Sequence, residues 1–225
     1  MSKRLVIHQP NFLPYIGFFE QLRKADIYIA FDDVQFQENE FQNRNFIKSP
    51  SGKISLTLPV KKKGRFGQLI KDVELSDDHF IDRITNKLDA CYRRAPHFRE
   101  VMDALLSAIA GNATHMIDVN LPLISTICQK LGLRLDIIRA SSFGIIYEDR
   151  IDRLIKLMKA VDAEFLIVGT GAATYLDRQK FLGAGYGFEV HDFKPKVYPQ
   201  LHGDFISHLS IVDYLMNVGW GLQEE

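Results

Sequence analysis

The first thirty-one residues constrain the chain most. Arg4-Leu-Val-Ile-His8 is a short β-branched run that Gln9-Pro10-Asn11 ends abruptly, because proline brings no N–H to a sheet ladder. After Pro14, Tyr15, Ile16, Phe18, Phe19 and Leu22 recur at helical spacing, with Arg23 and Lys24 where cations suit a helix C-terminus. Asp26 leads into Ile27-Tyr-Ile-Ala-Phe31, a second run of strand length. Strand, loop, helix and strand in so short a stretch form the βαβ unit of an open, mainly parallel α/β sheet.

The same rhythm returns late. Leu135–Arg139 reads as a strand and Arg150–Val161 as a helix with Ile151, Leu154, Ile155 and Met158 inward. Glu164–Val168 reads as a strand meeting Gly169-Thr-Gly171, then a helix through Tyr175 and Leu176, a strand over Phe188–Phe193 and a last helix over Ser210–Asn217. Between the two α/β stretches, Asn45–Lys48 and Ile54–Leu58 flank the turn Ser49–Gly52 as a β-hairpin. Ile70–Leu75 is a further strand candidate. Residues 76–132 carry helical stripes: Phe80, Ile81, Ile84, Leu88, Cys91 and Tyr92; then Phe98, Val101, Leu105 and Ile109; then Ile117, Leu121, Ile124, Cys128 and Leu131, closed by Gly132 as a C-terminal cap. The expectation is one α/β domain over residues 1–225 with a doubly wound, Rossmann-like sheet. A hairpin (about residues 42–75) and a helical block (about residues 76–132) interrupt it.

Composition narrows the function classes. The 225 residues hold 28 Lys+Arg against 28 Asp+Glu and are 46% apolar, which is the profile of an ordinary globular chain rather than a disordered or fibrous one. Zero formal charge argues against general nucleic-acid or membrane-surface binding. Cys91 and Cys128 are too few for a disulfide framework and lack metal-ligand spacing, which fits a reducing cytoplasm. No apolar run reaches membrane-span length and the N-terminus lacks a signal-peptide core.

Ligands of open α/β sheets gather beyond the carboxyl ends of the strands, which directs attention to the loops after His8, Phe31, Arg139 and Val168. His8, with Gln9, Pro10 and Asn11, would orient a substrate or carry a proton; the same position also suits a histidine bonded to backbone at a strand end. Of the adjacent carboxylates Asp32 and Asp33, one is expected to face the loop, and Asp33, nearer Gln35, is the choice, either as a magnesium-carrying carboxylate or as a loop closer. Gln42-Asn-Arg-Asn45, followed by Lys48, reads as a hydrogen-bonding surface in which Arg44 would clamp a carboxylate or phosphate, or else as a solvated hairpin edge. Lys61-Lys-Lys-Gly-Arg65 offers an anion-attracting loop without the P-loop pattern, so Lys61 and Arg65 are phosphate candidates beside the plain reading of a solvated charge run. Gly169, Thr170 and Gly171 sit at a strand-to-helix junction that favours an anion or simply a tight turn. Ser141 would line a pocket. Tyr198, Gln200 and His202 form a late aromatic and amide loop in which His202 is a second acid/base, whereas Ser210-Ile-Val-Asp213 reads as a capping-box-like helix start that makes Asp213 a cap. No serine occupies a nucleophile elbow and no cluster has zinc spacing, so no resident metal is expected.

Ile7-His-Gln-Pro-Asn-Phe-Leu-Pro-Tyr-Ile-Gly-Phe-Phe19, Asp33-Val-Gln-Phe36, Gln42-Asn-Arg-Asn45, Leu56-Thr-Leu-Pro-Val60, Tyr198-Pro-Gln-Leu-His202, Leu209-Ser, Asp213 and Asn217-Val-Gly219 together resemble the WbqC-like proteins over essentially the whole chain. A weaker likeness links the opening to nucleotidyltransferase-like folds, with Tyr15-Ile-Gly-Phe18 standing where those enzymes carry His-x-Gly-His. The first resemblance implies a setting in bacterial surface-polysaccharide (O-antigen, lipopolysaccharide) biosynthesis. It implies an enzyme that transfers an acyl or aminoacyl group such as glycine to a nucleotide-linked amino sugar. On that reading His8 or His202 takes the amine proton and Arg44 and Lys48 hold an anion. Gln9, Asn11, Gln35 and Asn43 then orient the sugar, with Tyr15 and Asn45 as further substrate-binding candidates, in one shared cleft. How the donor is activated stays open among ATP with magnesium, a thioester and a charged tRNA. The competing expectation is a sugar-nucleotide or glycan binding protein that assists assembly without catalysis.

Overall fold

The computed structural model describes residues 2–109, 111–174 and 176–222. The chain begins with β1 (Arg4–His8), α1 (Ile16–Arg23) and β2 (Ile27–Ala30). The hairpin β3 (Arg44–Ser49) and β4 (Gly52–Thr57) follows, then α2 (Phe80–Tyr92), α3 (Phe98–Ala108) and α4 (Ile117–Lys130). The last third runs β5 (Asp136–Arg139), α5 (Arg150–Ala160), β6 (Phe165–Gly169), α6 (Thr170–Ala173), α7 (Arg178–Gly183), β7 (Gly187–His191) and α8 (Ile211–Val218).

These elements sort into two compact units interleaved along the sequence. The sheet unit takes the residues up to Gln9, Gly17–Asp33 and Leu133–Lys194. The hairpin–helix unit takes Pro10–Ile16, Val34–Gly132 and the chain from Pro195 on, so it includes the expected insert and two further segments.

In the sheet unit all strands are parallel, in the order β5-β2-β1-β6-β7. This is the Rossmann-like arrangement expected from the βα alternation. One face buries Leu5, Ile27, Ile29, Leu166 and Val168, alternating residues of three strands, against Leu154, Leu157 and Met158 of α5. On the other, Phe18 of α1 meets the Tyr28 ring edge-on at 5.6 Å, and Gln21 Nε2 donates to the Ile167 carbonyl (2.9 Å). The middles of the central strands, Leu5–Ile7, Ile27–Ala30 and Leu166–Val168, are therefore apolar, as parallel sheets covered on both faces require. Asp149 caps α5, its carboxylate accepting from Ile151 N (2.8 Å) and Asp152 N (2.9 Å).

In the hairpin–helix unit β3 and β4 pair antiparallel, from Arg44 opposite Thr57 to Ser49 opposite Gly52. The turn uses a left-handed Gly52 (φ 98°). Gly132, also left-handed (φ 73°), follows α4 as expected. Three expectations about elements are corrected. Ile70–Leu75 is not a strand: a single 3-10 turn, Ile70–Asp72, forms there because Asp72 N bonds back to the Leu69 carbonyl, and Glu74 and Leu75 make isolated bridges only. The helix after Gly169 stops at Ala173, where Thr174 Oγ1 turns back to the Gly171 carbonyl (2.9 Å); Tyr175, expected inside it, lies outside the described residues. The strand expected over Phe188–Phe193 ends at His191.

Candidate functional site

The strand order of the sheet unit reverses between β1 and β6, so the carboxyl ends of these two neighbours mark the topological switch point at which open α/β sheets hold ligands. His8 ends β1, and its Nδ1 lies 2.9 Å from the Gln9 carbonyl oxygen. A carbonyl cannot donate, so Nδ1 carries the proton and Nε2 presents its lone pair. Phe18 packs edge-on against the ring at 5.2 Å. Burial lowers the His8 pKa below its ordinary value, and the Gln9 hydrogen bond offsets this only in part. The ring is therefore neutral near pH 7. At the end of β6, Gly169 and Gly171 flank Thr170, and a Cβ built on either glycine meets no atom within 4 Å. Open space faces this turn rather than a packing neighbour.

Just past the end of β2, the adjacent carboxylates divide between the interior and the loop, Asp32 turning inward and Asp33 staying partly exposed. Asp32 is fully buried (0% exposed) and accepts from Arg139 Nε (2.6 Å), Ser141 N (2.9 Å) and Ser141 Oγ (2.8 Å). It fixes the carboxyl ends of β2 and β5 to each other. Asp33 is ion-paired with Arg153, whose guanidinium lies over the rings of Phe31 (4.2 Å) and Tyr147 (4.6 Å). A guanidinium thus already stands where a magnesium ion was considered for Asp33. Arg139 and Arg153 are not marked as functional by sequence, apart from the place of Arg139 at the end of a strand.

The hairpin–helix unit holds a second polar constellation, and it is internal. Gln42, Asn43 and Asn45 were expected at a hydrogen-bonding surface, yet all three are buried. The Asn45 amide donates to the carbonyls of Phe12 (3.2 Å) and Leu13 (2.7 Å), Asn43 donates to Leu58 O (3.2 Å), and Gln42 Oε1 accepts from Gln37 N (2.8 Å). Asn120 donates to Pro10 O and Gln42 O (2.8 Å each). Irregular segments inside a fold leave carbonyls that water cannot reach, and buried amides satisfy them. Arg44 is partly exposed over the Phe46 ring (5.6 Å).

Lys48 is 1% exposed, and its ammonium donates to Gln200 Oε1 (3.2 Å), Gly203 O (2.9 Å) and Asp204 O (2.6 Å). All three donors of the group are occupied, which ties down the loop around Gln200 rather than leaving Lys48 open to an anion. Asp213, read as a helix cap, is corrected: Ser210 Oγ caps α8 by accepting from Val212 N. The Asp213 carboxylate instead accepts from Tyr92 Oη (2.8 Å), Tyr198 Oη (2.8 Å) and Gln200 Nε2 (2.7 Å). Burial raises its pKa despite these donors, and burial likewise raises both tyrosines.

The remaining candidates scatter. Lys61 and Arg65 both bind Glu74 (2.6 Å each), and their donors hold that carboxyl down to about 2. Gln35 is exposed, Gln9 and Asn11 are partly buried, and Tyr15 stacks on His208 at 5.8 Å. His202 has a left-handed backbone (φ 67°) and donates Nε2–H to the Cys91 carbonyl (2.7 Å). His8 and His202 belong to different units. Among the described residues no helix is long and apolar enough to cross a membrane, and no group of three His, Cys, Asp or Glu is placed to hold a metal ion.

Sheet order and switch-point chemistry define an α/β protein of Rossmann-like class. Comparison of the sequence with family models is more specific: residues 9–224 match the WbqC-like protein family, and the chain belongs to it. It is 29% identical over 219 residues to "Uncharacterized protein Rv1507c" of Mycobacterium tuberculosis (strain ATCC 25618 / H37Rv), covering 96% of this chain and 94% of that relative. No solved structure matches.

Proposed function

We propose that this protein binds a nucleotide-linked amino sugar at the carboxyl edge of its parallel sheet and transfers an acyl or aminoacyl group, such as glycine, to the sugar amine. The carrying observation is a neutral histidine with an available Nε2 at the switch point of the sheet, in a unit whose neighbouring strand ends in an open Gly-Thr-Gly turn. The amine nitrogen attacks an activated carbonyl, the C–N bond forms as the leaving group departs, and His8 Nε2 takes the proton the amine sheds. Gln9 addresses the sugar, and the backbone of residues 169–171 addresses phosphate oxygens. The setting we propose for it is bacterial surface-polysaccharide synthesis of the O-antigen type, in the cytoplasm where nucleotide sugars are found.

Incubating the purified protein with UDP- or dTDP-amino sugars, glycine, ATP and magnesium tests the reading by mass spectrometry of the sugar. An N-acylated product that His8→Ala abolishes supports it. No product and no ATP consumption across a panel of free, thioester and tRNA-borne donors overturns it.

One observation favours a second reading, a sugar-nucleotide or glycan binding protein without catalysis. Asn43, Asn45, Lys48 and Gln200 are all committed to intramolecular partners, which makes them architecture. That protein would bind its ligand tightly, with no turnover and no loss of affinity on His8→Ala or His202→Ala.

A further inference from the structure

An open hollow of about 420 Å³ in the hairpin–helix unit is lined by Pro50, Ala90, Cys91, Arg93, Arg94 and His202. Two arginines and a histidine are among its lining residues, and none of these residues is acidic. Cations at the end of α2 have an ordinary explanation, since they offset the negative pole of a helix C-terminus. Here that need is met by other groups. The Asp89 carbonyl accepts from Arg93 N (3.1 Å) and the Tyr92 carbonyl from Ala95 N (2.8 Å), while His202 Nε2 occupies the Cys91 carbonyl (2.7 Å). Neither guanidinium is required as a cap.

Their other engagements are slight. Arg93 lies 4.0 Å from the Asp89 carboxylate, with both side chains largely exposed, and Arg94 makes no ion pair among the described residues. An exposed pair one helical turn apart at this distance contributes little, so a ligand anion displaces it readily. His202, held in a left-handed conformation that few non-glycine residues adopt, has its ring fixed by Cys91. With Nε2–H on the Cys91 carbonyl, Nδ1 remains as an acceptor for a hydroxyl or a protonated phosphate oxygen of a ligand. Burial raises the Cys91 thiol pKa, so this wall contributes packing rather than a nucleophile.

We propose that Arg93, Arg94 and His202 form an anion site for a phosphoryl group carried on an organic body, a nucleoside diphosphate or sugar phosphate. The guanidinium pair matches phosphate oxygens in number and geometry. The volume falls within the roughly 300–1,000 Å³ of small-molecule sites, well beyond what a bare phosphate fills. This site lies in the other unit from the sheet edge assigned above and stands independently of that assignment.

Calorimetric titration of the full chain with orthophosphate, pyrophosphate, UDP and acetate, at constant ionic strength, tests it. UDP is expected to bind more tightly than pyrophosphate, and pyrophosphate more tightly than orthophosphate. Arg93→Gln/Arg94→Gln should weaken pyrophosphate at least tenfold with an unchanged circular dichroism spectrum. Lys62→Gln/Lys63→Gln, of equal charge change, should bind as wild type. Phenylglyoxal labelling of Arg94, read by peptide mass, should be blocked by pyrophosphate, and His8→Ala should leave that protection intact. Equal affinity in the arginine double variant, equal loss in the lysine control, acetate binding as tight as pyrophosphate, or no binding by the wild type each overturns the proposal. A misfolded double variant leaves the labelling result to decide it.

Discussion

Lys48 and Asp213, a buried cation and a buried carboxylate, are joined twice without touching. Gln200 accepts from the lysine ammonium through Oε1 and donates to Asp213 through Nε2, while Tyr92 accepts from Lys48 N and donates to the other carboxylate oxygen. Strand β3, the end of α2, the loop around Gln200 and helix α8 thus share one hydrogen-bonded knot in which every donor has a specific acceptor. In a low-dielectric interior such a network stabilises only when complete.

Lys48→Met removes the cation but roughly keeps the volume. Gln200 Oε1 and the Gly203 and Asp204 carbonyls lose their donor, and Asp213 loses a nearby positive charge. The variant should be less stable by about 3–5 kcal/mol, the cost of breaking one partner from a buried polar pair, read as a lower urea midpoint. A change below about 1 kcal/mol would show that Lys48 is free for a ligand.

Asp213 carries a raised pKa, so its contribution to stability is full below the unfolded carboxylate value of about 3.9 and declines as pH rises through its native value. Asp213→Asn cannot ionise and escapes that decline, although its amide forfeits an acceptor. The stability gap between wild type and variant should therefore narrow as pH rises from about 4 towards 8. Guanidinium unfolding at several pH values measures it, and a widening gap would refute the sign.

Glu74 behaves oppositely. Its native pKa of about 2 lies below the ordinary value of 4.5 because Arg65 and Lys61 donate to it. Its stabilisation is present above pH 4.5 and is lost as the pH falls through about 2. Glu74→Gln should flatten the acid limb of the stability profile over that window. Because these groups are exposed, the difference should shrink when ionic strength rises from 0.05 to about 0.5 M.

If His8 is the base, the acidic limb of kcat/KM for the proposed transfer should have its midpoint below the usual histidine value of 6.5, since the neutral form persists to lower pH. His8→Ala should lower kcat by about 10²–10⁴-fold. An unchanged profile in His8→Ala would remove the residue from the chemistry.

Patterned burial made the sheet unit legible: Leu5, Ile27, Ile29, Leu154 and Met158 all declare themselves by period, and the parallel order follows from βα alternation. The hairpin was equally readable from its turn residues. What stayed hidden were polar residues whose partners are main-chain atoms far away. Asn45 finds its acceptors at Phe12 and Leu13, and Lys48 finds two of its own at Gly203 and Asp204. Side-chain polarity announces a surface; a distant orphaned carbonyl leaves no trace in local composition. The partners of Asp32 stayed hidden for the same reason, since only the position of Arg139 and Ser141 in space shows what the inward carboxylate binds.

The polypeptide passes back and forth between the two units, each of them assembled from three separated stretches. Neither can be expressed as one uninterrupted gene fragment, and a stop codon placed anywhere upstream of Pro195 strips material from both. Translation must therefore pass Pro195 before α8, with Asp213, can complete the hairpin–helix unit, and a product cut short upstream of that residue lacks part of both units.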